Sequence, residues 1–271
     1  MIALARIIVR RWYKFSMRTL LFGSLLLLFS TVGYSQVVLQ ALPPDTPENC
    51  AKRSQMMHQW LEDWPNLSRY RQADISLPTP KTNEARVVFM GDSITDGWNL
   101  QKYFGPKPYV NRGISAQTTP QMLLRFRQDV VALKPQVVVI LAGTNDIAGN
   151  TGPMSLEEIE NNYSSMADLA RANHIAVVIS SITPVNDYTP ASKRFFAERP
   201  MDKVRELNEW LKRYAHEHGE VYLDYYSHML DDKGFLRRDL AEDGLHPNDT
   251  GYRIMADLAE KAIAQALATK R

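Results

Sequence analysis

The chain holds a single cysteine, Cys50, among 271 residues. No internal disulfide can form, and a zinc site built from several cysteines is excluded. An excess of one charge is also missing. Lys and Arg number 32 against 30 Asp and Glu, a formal net charge of +2, which gives no electrostatic footprint for nucleic acid. There is no internal repeat and no low-complexity segment, so solenoids and arrays are excluded. His216 and His218 stand two apart, not at the i, i+4 spacing of a zinc-binding H-E-x-x-H helix. No metal-ligand cluster with suitable spacing is present, and no metal or cofactor is expected.

The amino terminus is patterned. Arg6, Arg10, Arg11, Lys14 and Arg18 precede the apolar run Leu20–Phe29, which small residues up to Ser35 follow. A basic flank, a short apolar core and small residues make a secretory signal peptide over residues 1–35. The core is too short to span a bilayer comfortably, although an uncleaved anchor is the alternative. No Cys closely follows the run, which argues against a lipid anchor. Export without disulfides fits a secreted or periplasmic protein of a bacterial envelope. Residues 36–85 read as a proline-bearing linker and an amino-terminal helix, Glu48 to Asp63, packed on the outside through Met56, Trp60 and Leu61. Residues 86–271 have a length that suits one α/β domain.

Within that domain, strand-like and helix-like stretches alternate. Val87–Met90, Tyr109–Val110, Gln136–Ala142, Ile175–Ile182 and Val221–Asp224 read as strands. Between and after them Pro120–Leu133, Ser155–Asn173, Pro200–His218 and Asp249–Leu267 have helical spacing. Ser155 with Glu158 three residues later forms a capping box. Such alternation predicts a parallel sheet covered on both faces.

The stretch that carries chemistry is V-V-F-M-G-D-S-I-T-D-G-W, Val87 to Trp98. A buried strand ends at Gly91, and Ser93 follows on a tight turn at the carboxyl edge, where α/β sheets bind ligands. Ser93 is there either a nucleophile or a helix cap. No Lys follows Gly97, so the phosphate-loop pattern is not met. Neither G-x-G-x-x-G nor G-x-S-x-G occurs in this stretch. The second strand leads to Gly113 and the third to G-T-N-D, Gly143 to Asp146, all on the same edge. A Gly113 N–H and the Asn145 amide are donors of the kind an oxyanion requires, or else ordinary turn residues. Among six histidines, His246 in D-G-L-H-P has Asp243 three residues earlier to orient it. His228, four residues after Asp224, is its rival.

Taken together, residues from Arg86 to the final helix resemble the SGNH, or GDSL-type, hydrolase superfamily. Its four defining positions match Ser93, Gly113, Asn145 and His246 in G-D-S-I-T, N-R-G-I-S, G-T-N-D and D-G-L-H-P-N, and its acid matches Asp243. Ile94 stands where the family name has Leu. The resemblance implies a flavodoxin-like α/β/α sandwich with strand order 2-1-3-4-5. It also implies a metal-free acyl-enzyme mechanism: Ser93 as nucleophile, His246 and Asp243 as its relay, and Ser93, Gly113 and Asn145 as the oxyanion hole.

The substrate is less legible. Thr183–Pro200 is expected to be an irregular insert walling the site, with Tyr188, Phe195 and Phe196 beside Lys193 and Arg194. Arg112, Trp98 and Tyr188 are candidate substrate contacts. Short acyl esters on a carbohydrate or other polar alcohol, acetyl above all, are the expected substrates. A lysophospholipase or thioesterase is the alternative, and a non-catalytic glycan-binding module is a competing class.

Overall fold

A computed structural model describes residues 46–190 and 192–269, apart from the side chains at 53, 56, 59 and 60. The expected signal peptide, most of the linker, and the Met56 and Trp60 contacts lie outside the described residues. The sheet and the candidate site both belong to one unit, Cys50–Arg271. Among the described residues no helix is long and apolar enough to cross a membrane.

Five strands, β1 (Val87–Gly91), β2 (Tyr109–Gly113), β3 (Val137–Leu141), β4 (Ala176–Ser180) and β5 (Val221–Leu223), form one parallel sheet in the order β2-β1-β3-β4-β5. The helices are α1 (Pro47–Glu62), α2 (Arg71–Ser76), α3 (Ser93–Asp96), α4 (Leu100–Phe104) and α5 (Thr119–Asp129). After them come α6 (Thr144–Ile147), α7 (Leu156–Ala172), α8 (Ser192–Glu198), α9 (Met201–Glu217) and α10 (Asp249–Thr269). The architecture and strand order are those expected of the sequence.

Every residue of β1 and β3 is buried, as continuous apolar runs require in a sheet covered on both sides. Alternate side chains serve opposite faces. Val87, Phe89, Val137, Val139 and Val178 pack with Met255, Ala259 and Ile263 of α10. Val88, Met90, Val138, Ile140 and Val177 pack with α5, α7 and α9 through Met122, Phe126, Ile159, Tyr163, Val204 and Leu211. The Ser155–Glu158 capping box forms with both of its hydrogen bonds.

Four local expectations change. β2 continues to Gly113, beyond the expected Tyr109–Val110. A helix, α2, occupies residues without a clear apolar period, and none of its residues is buried. The insert after β4 contains α8. Leu61 of α1 is 82% exposed, so it does not make the packing contact expected of it.

The carboxyl edge is fastened by a buried cation. Arg125 of α5 has no exposed surface. Its guanidinium donates to Gly91 O at 3.1 Å, Arg112 O at 2.8 Å, Gln117 Oε1 at 2.6 Å and Asp129 Oδ2 at 2.9 Å. The ends of β1 and β2 and the loop beyond are thus tied to one planar group, a geometry that Lys cannot reproduce. Removing one partner of such a set leaves buried polar atoms unpaired, which costs about 3–5 kcal/mol. Arg125→Met should lower the unfolding free energy by about that amount in a urea titration. A loss below about 1 kcal/mol, the scale of an exposed ion pair, would contradict this account.

Candidate active site

The turn after β1 decides what Ser93 is free to do. Asp92 is the N-cap of α3, and its Oδ1 accepts the Ile94 N–H at 3.0 Å. The cap is therefore Asp92, and the Ser93 hydroxyl remains available. Ser93 Oγ lies 2.9 Å from His246 Nε2. His246 Nδ1 lies 2.7 Å from Asp243 Oδ2. Asp243 Oδ1 accepts the backbone N–H groups of Leu245 and His246 at 3.0 and 2.8 Å. Burial pushes the Asp243 carboxyl up, but the hydrogen bonds from the His246 ring and these two N–H groups outweigh it and hold the group below its usual range. Asp243 is thereby kept as an acceptor that fixes the ring's tautomer and orientation. The rival, His228, is exposed, and its Nδ1 lies 2.9 Å from the Asp224 carbonyl oxygen.

The loop bearing His246 is gripped by the insert after β4. Asn186 N donates to Gly244 O at 3.0 Å, and the Tyr188 hydroxyl donates to Ala241 O. Gly244 has φ +80°, and a Cβ there would lie 2.3 Å from Asn186 O; only glycine meets both demands. The Phe195 ring stands edge-on to the His246 ring, with centroids 5.9 Å apart.

Asn145 of α6 enters from the end of β3. Its Nδ2 donates to Gln117 O at 3.1 Å, and its Oδ1 accepts from Arg199 Nη2 at 3.1 Å. Gly113 behaves differently from expectation. The Ile114 N–H points at β1, to Gly91 O. Because successive N–H groups alternate along a strand, that of Gly113 must point off the free edge of β2. It donates there to Asn111 Oδ1 at 2.8 Å. The Gly113 N–H is therefore already spent on the Asn111 side chain. What this position requires is the absence of a side chain: a Cβ would lie 2.1 Å from Asp96 N. Gly113 lets β2 pass close to α3.

In the loop after β2, almost every N–H is spoken for. Ser115 donates to Asp96 Oδ2, Gln117 to Ile114 O, Thr118 to Gln121 Oε1 and Thr119 to Asp146 Oδ1. From 113 to 119 only the Ala116 N–H lacks a partner among the described residues. Ala116 is exposed and left-handed, with φ +66°.

The expected substrate contacts are mostly structural. Trp98 is 3% exposed and stacks on Tyr252 inside the core. Arg112 is 5% exposed and is held by Asp74 and Asn111 O. Tyr188 is half-buried, and its hydroxyl is used in bracing the His246 loop.

Two buried carboxylates behind the site were not singled out from the sequence. Asp92 and Asp146 are both pushed up to about 6, foremost by burial. Each keeps an Oδ2 without a hydrogen-bond partner. A folded-state value above the unfolded 3.8 means no penalty at low pH, where the group is neutral in both states. The penalty grows as pH rises and is complete above about 6. Relative to the parent protein, Asp92→Asn should gain about 2 kcal/mol of unfolding free energy between pH 4 and pH 7. Denaturant titrations at those two pH values check this, and parallel pH dependences would contradict it.

Residues 89–254 match the model of the GDSL-like Lipase/Acylhydrolase family, and the chain belongs to that family. Membership makes this domain a hydrolase of acyl esters. Among curated proteins, the chain is 29% identical over 225 residues to an acetylxylan esterase of Xylanibacter ruminicola; the match covers 69% of this chain and 45% of that protein. The chain thus spans less than half the length of that relative. Among solved structures, a GDSL-like lipase from Bacteroides thetaiotaomicron is 39% identical with TM-score 0.69, covering 74% of this chain and 98% of the other. An acetylxylan esterase from Geobacillus stearothermophilus, a catalytic mutant, shares the fold at 22% identity and TM-score 0.54, with 69% and 96% covered.

Proposed function

We propose that this chain is a secreted serine esterase that removes short acyl groups, acetyl foremost, from a carbohydrate or a similarly polar alcohol. The observation that carries the reading is the unbroken relay from Ser93 Oγ through His246 to Asp243, with links of 2.9 and 2.7 Å. His246 Nε2 takes the Ser93 proton as Oγ bonds to the ester carbonyl carbon. The carbonyl π pair moves onto oxygen. Its return breaks the bond to the alcohol, which leaves with the proton from His246. Water, deprotonated in turn by His246, then releases the carboxylic acid and restores Ser93. These steps balance without a metal or cofactor.

Three donors suit the oxyanion. Ser93 is the first residue of α3, where a backbone N–H has no acceptor within the helix. Asn145 has a second Nδ2 hydrogen beyond the one given to Gln117. The third is the Ala116 N–H, in the place that the family resemblance assigns to Gly113.

The division of the chain into an export segment 1–35, an extension 36–85 and a hydrolase domain 86–271 belongs to the same reading. The carbonyls of Trp64, Pro65 and Leu67 accept from Gln121, Gln117 and Gln128, which supports an extension docked on the domain.

The short-acyl reading rests on the rim and on the acetylxylan esterase relative. In α8, Phe195 and Phe196 turn inward, toward His246 and Phe235, while Lys193 and Arg194 are exposed. A long-chain lipase would present a broad apolar surface there. The lysophospholipase or thioesterase reading makes the opposite prediction about chain length.

Ser93→Ala should lower turnover about a millionfold while the fold persists; substantial residual hydrolysis would end the assignment. With p-nitrophenyl esters from acetyl to palmitoyl, kcat/KM should fall as the chain lengthens, because added methylenes meet no pocket. A maximum at octanoyl or beyond would favour the lipolytic alternative.

A further inference from the structure

Arg199 has no role in the relay, yet it is 3% exposed and its guanidinium is divided among Asn145, Thr144, Phe195 and, at 3.5 Å, the Glu198 carboxylate. Nη2 donates to Asn145 Oδ1 at 3.1 Å, Nε to Thr144 Oγ1 at 3.0 Å and Nη1 to Phe195 O at 3.3 Å. The Phe195 ring meets His246 edge-on, and the Arg199 guanidinium lies 5.6 Å from the centre of that ring. Arg199 ends the insert, just after α8, and Pro200 follows it. The insert is thus fixed at one end to Asn145 and along its length to the His246 loop.

We infer that Arg199 is a positioning residue for the oxyanion donor Asn145, setting the orientation of its amide and strengthening its N–H. The inference rests on the proposed role of Asn145 in the oxyanion hole. A carboxamide can be turned end for end at little steric cost. Here both flanks forbid the turn. Arginine has only donors, so it must face Oδ1. The Gln117 carbonyl only accepts, so it must face Nδ2. The second Nδ2 hydrogen is then pointed by the same constraint each time. A cation on the carbonyl oxygen also draws density from the nitrogen, and linked hydrogen bonds reinforce one another in a dry interior. That effect grows as negative charge develops on the bound oxygen, so it belongs to the transition state and not to substrate binding. The insert thereby communicates with the chemistry without touching the substrate through this residue.

A double-mutant cycle between Arg199→Gln and Asn145→Ala tests the inference, read as kcat and KM on p-nitrophenyl acetate. Asn145→Ala alone should cost a hundredfold to a thousandfold in kcat, about the value of one such donor. Arg199→Gln alone should cost about tenfold to a hundredfold in kcat, with KM within about twofold, as a fraction of that donor's effect. In the Asn145→Ala background the Arg199 substitution should change kcat by less than about twofold, because the group it acts through is gone. Arg199→Lys keeps charge and bulk but not the fork. It should show a smaller loss with the same dependence on Asn145, and it serves if Arg199→Gln does not fold. Additive losses, or a loss carried by KM, would overturn the inference. If Ser93→Ala retained activity, the reading of the site itself would fail instead.

Discussion

The enclosed Arg125 guanidinium joins the last carbonyl of β1, a carbonyl near the end of β2, and the Gln117 side chain. Everything displayed at the carboxyl edge depends on that junction. β1 ends where the Ser93 turn begins, and the Gln117 backbone receives the Asn145 amide. A buried cation is costly unless all its donors are matched. Here much of the requirement is met by carbonyls at the strand ends, including Gly91 O, which accepts the Ile114 N–H as well. One side chain thus satisfies the polar ends of two strands and fixes the loop between them and the site.

The same logic of satisfied polar groups sorts the residues around Ser93. Asp92 takes the capping duty and leaves the serine hydroxyl to His246. Asn111 takes the Gly113 N–H and also donates to the carbonyls of Thr95 and Trp98. It thereby ties the edge strand to α3. Asp96 takes the Ser115 backbone and hydroxyl. After these bonds are made, few donors at the edge remain without a partner among the described residues. Arg199 and Gln117 do for Asn145 what Asp243 does for His246: each holds a group whose useful face would otherwise be free to turn.

Much of this was legible in the sequence. Short apolar runs broken by Gly marked the sheet, because strands buried on both faces need unbroken hydrophobicity. The hydrogen-bonded chain Ser93–His246–Asp243 is legible because Asp243 and His246 share one loop, three residues apart. Gly113 reads in the sequence as a donor, while its N–H is bonded to Asn111 Oδ1; a glycine needed for close approach and one offering a donor look alike in sequence. Alternation along an edge strand separates them. Trp98 reads as a cleft residue by its nearness to Ser93, but the turn of α3 sends it into the core against Tyr252. Arg199 could not be found from the sequence, since its partner Asn145 is 54 residues away. Helix α8 is too short to leave a periodic signal between flanking prolines.

The central claim is that Ser93 is made nucleophilic by His246 and by no other histidine. Incubation with a fluorophosphonate, then peptide mapping, tests it most directly. The account predicts one adduct, on Ser93, formed at an undiminished rate in His228→Ala and all but lost in His246→Ala. An adduct on another residue, or labelling that depends on His228, would contradict it.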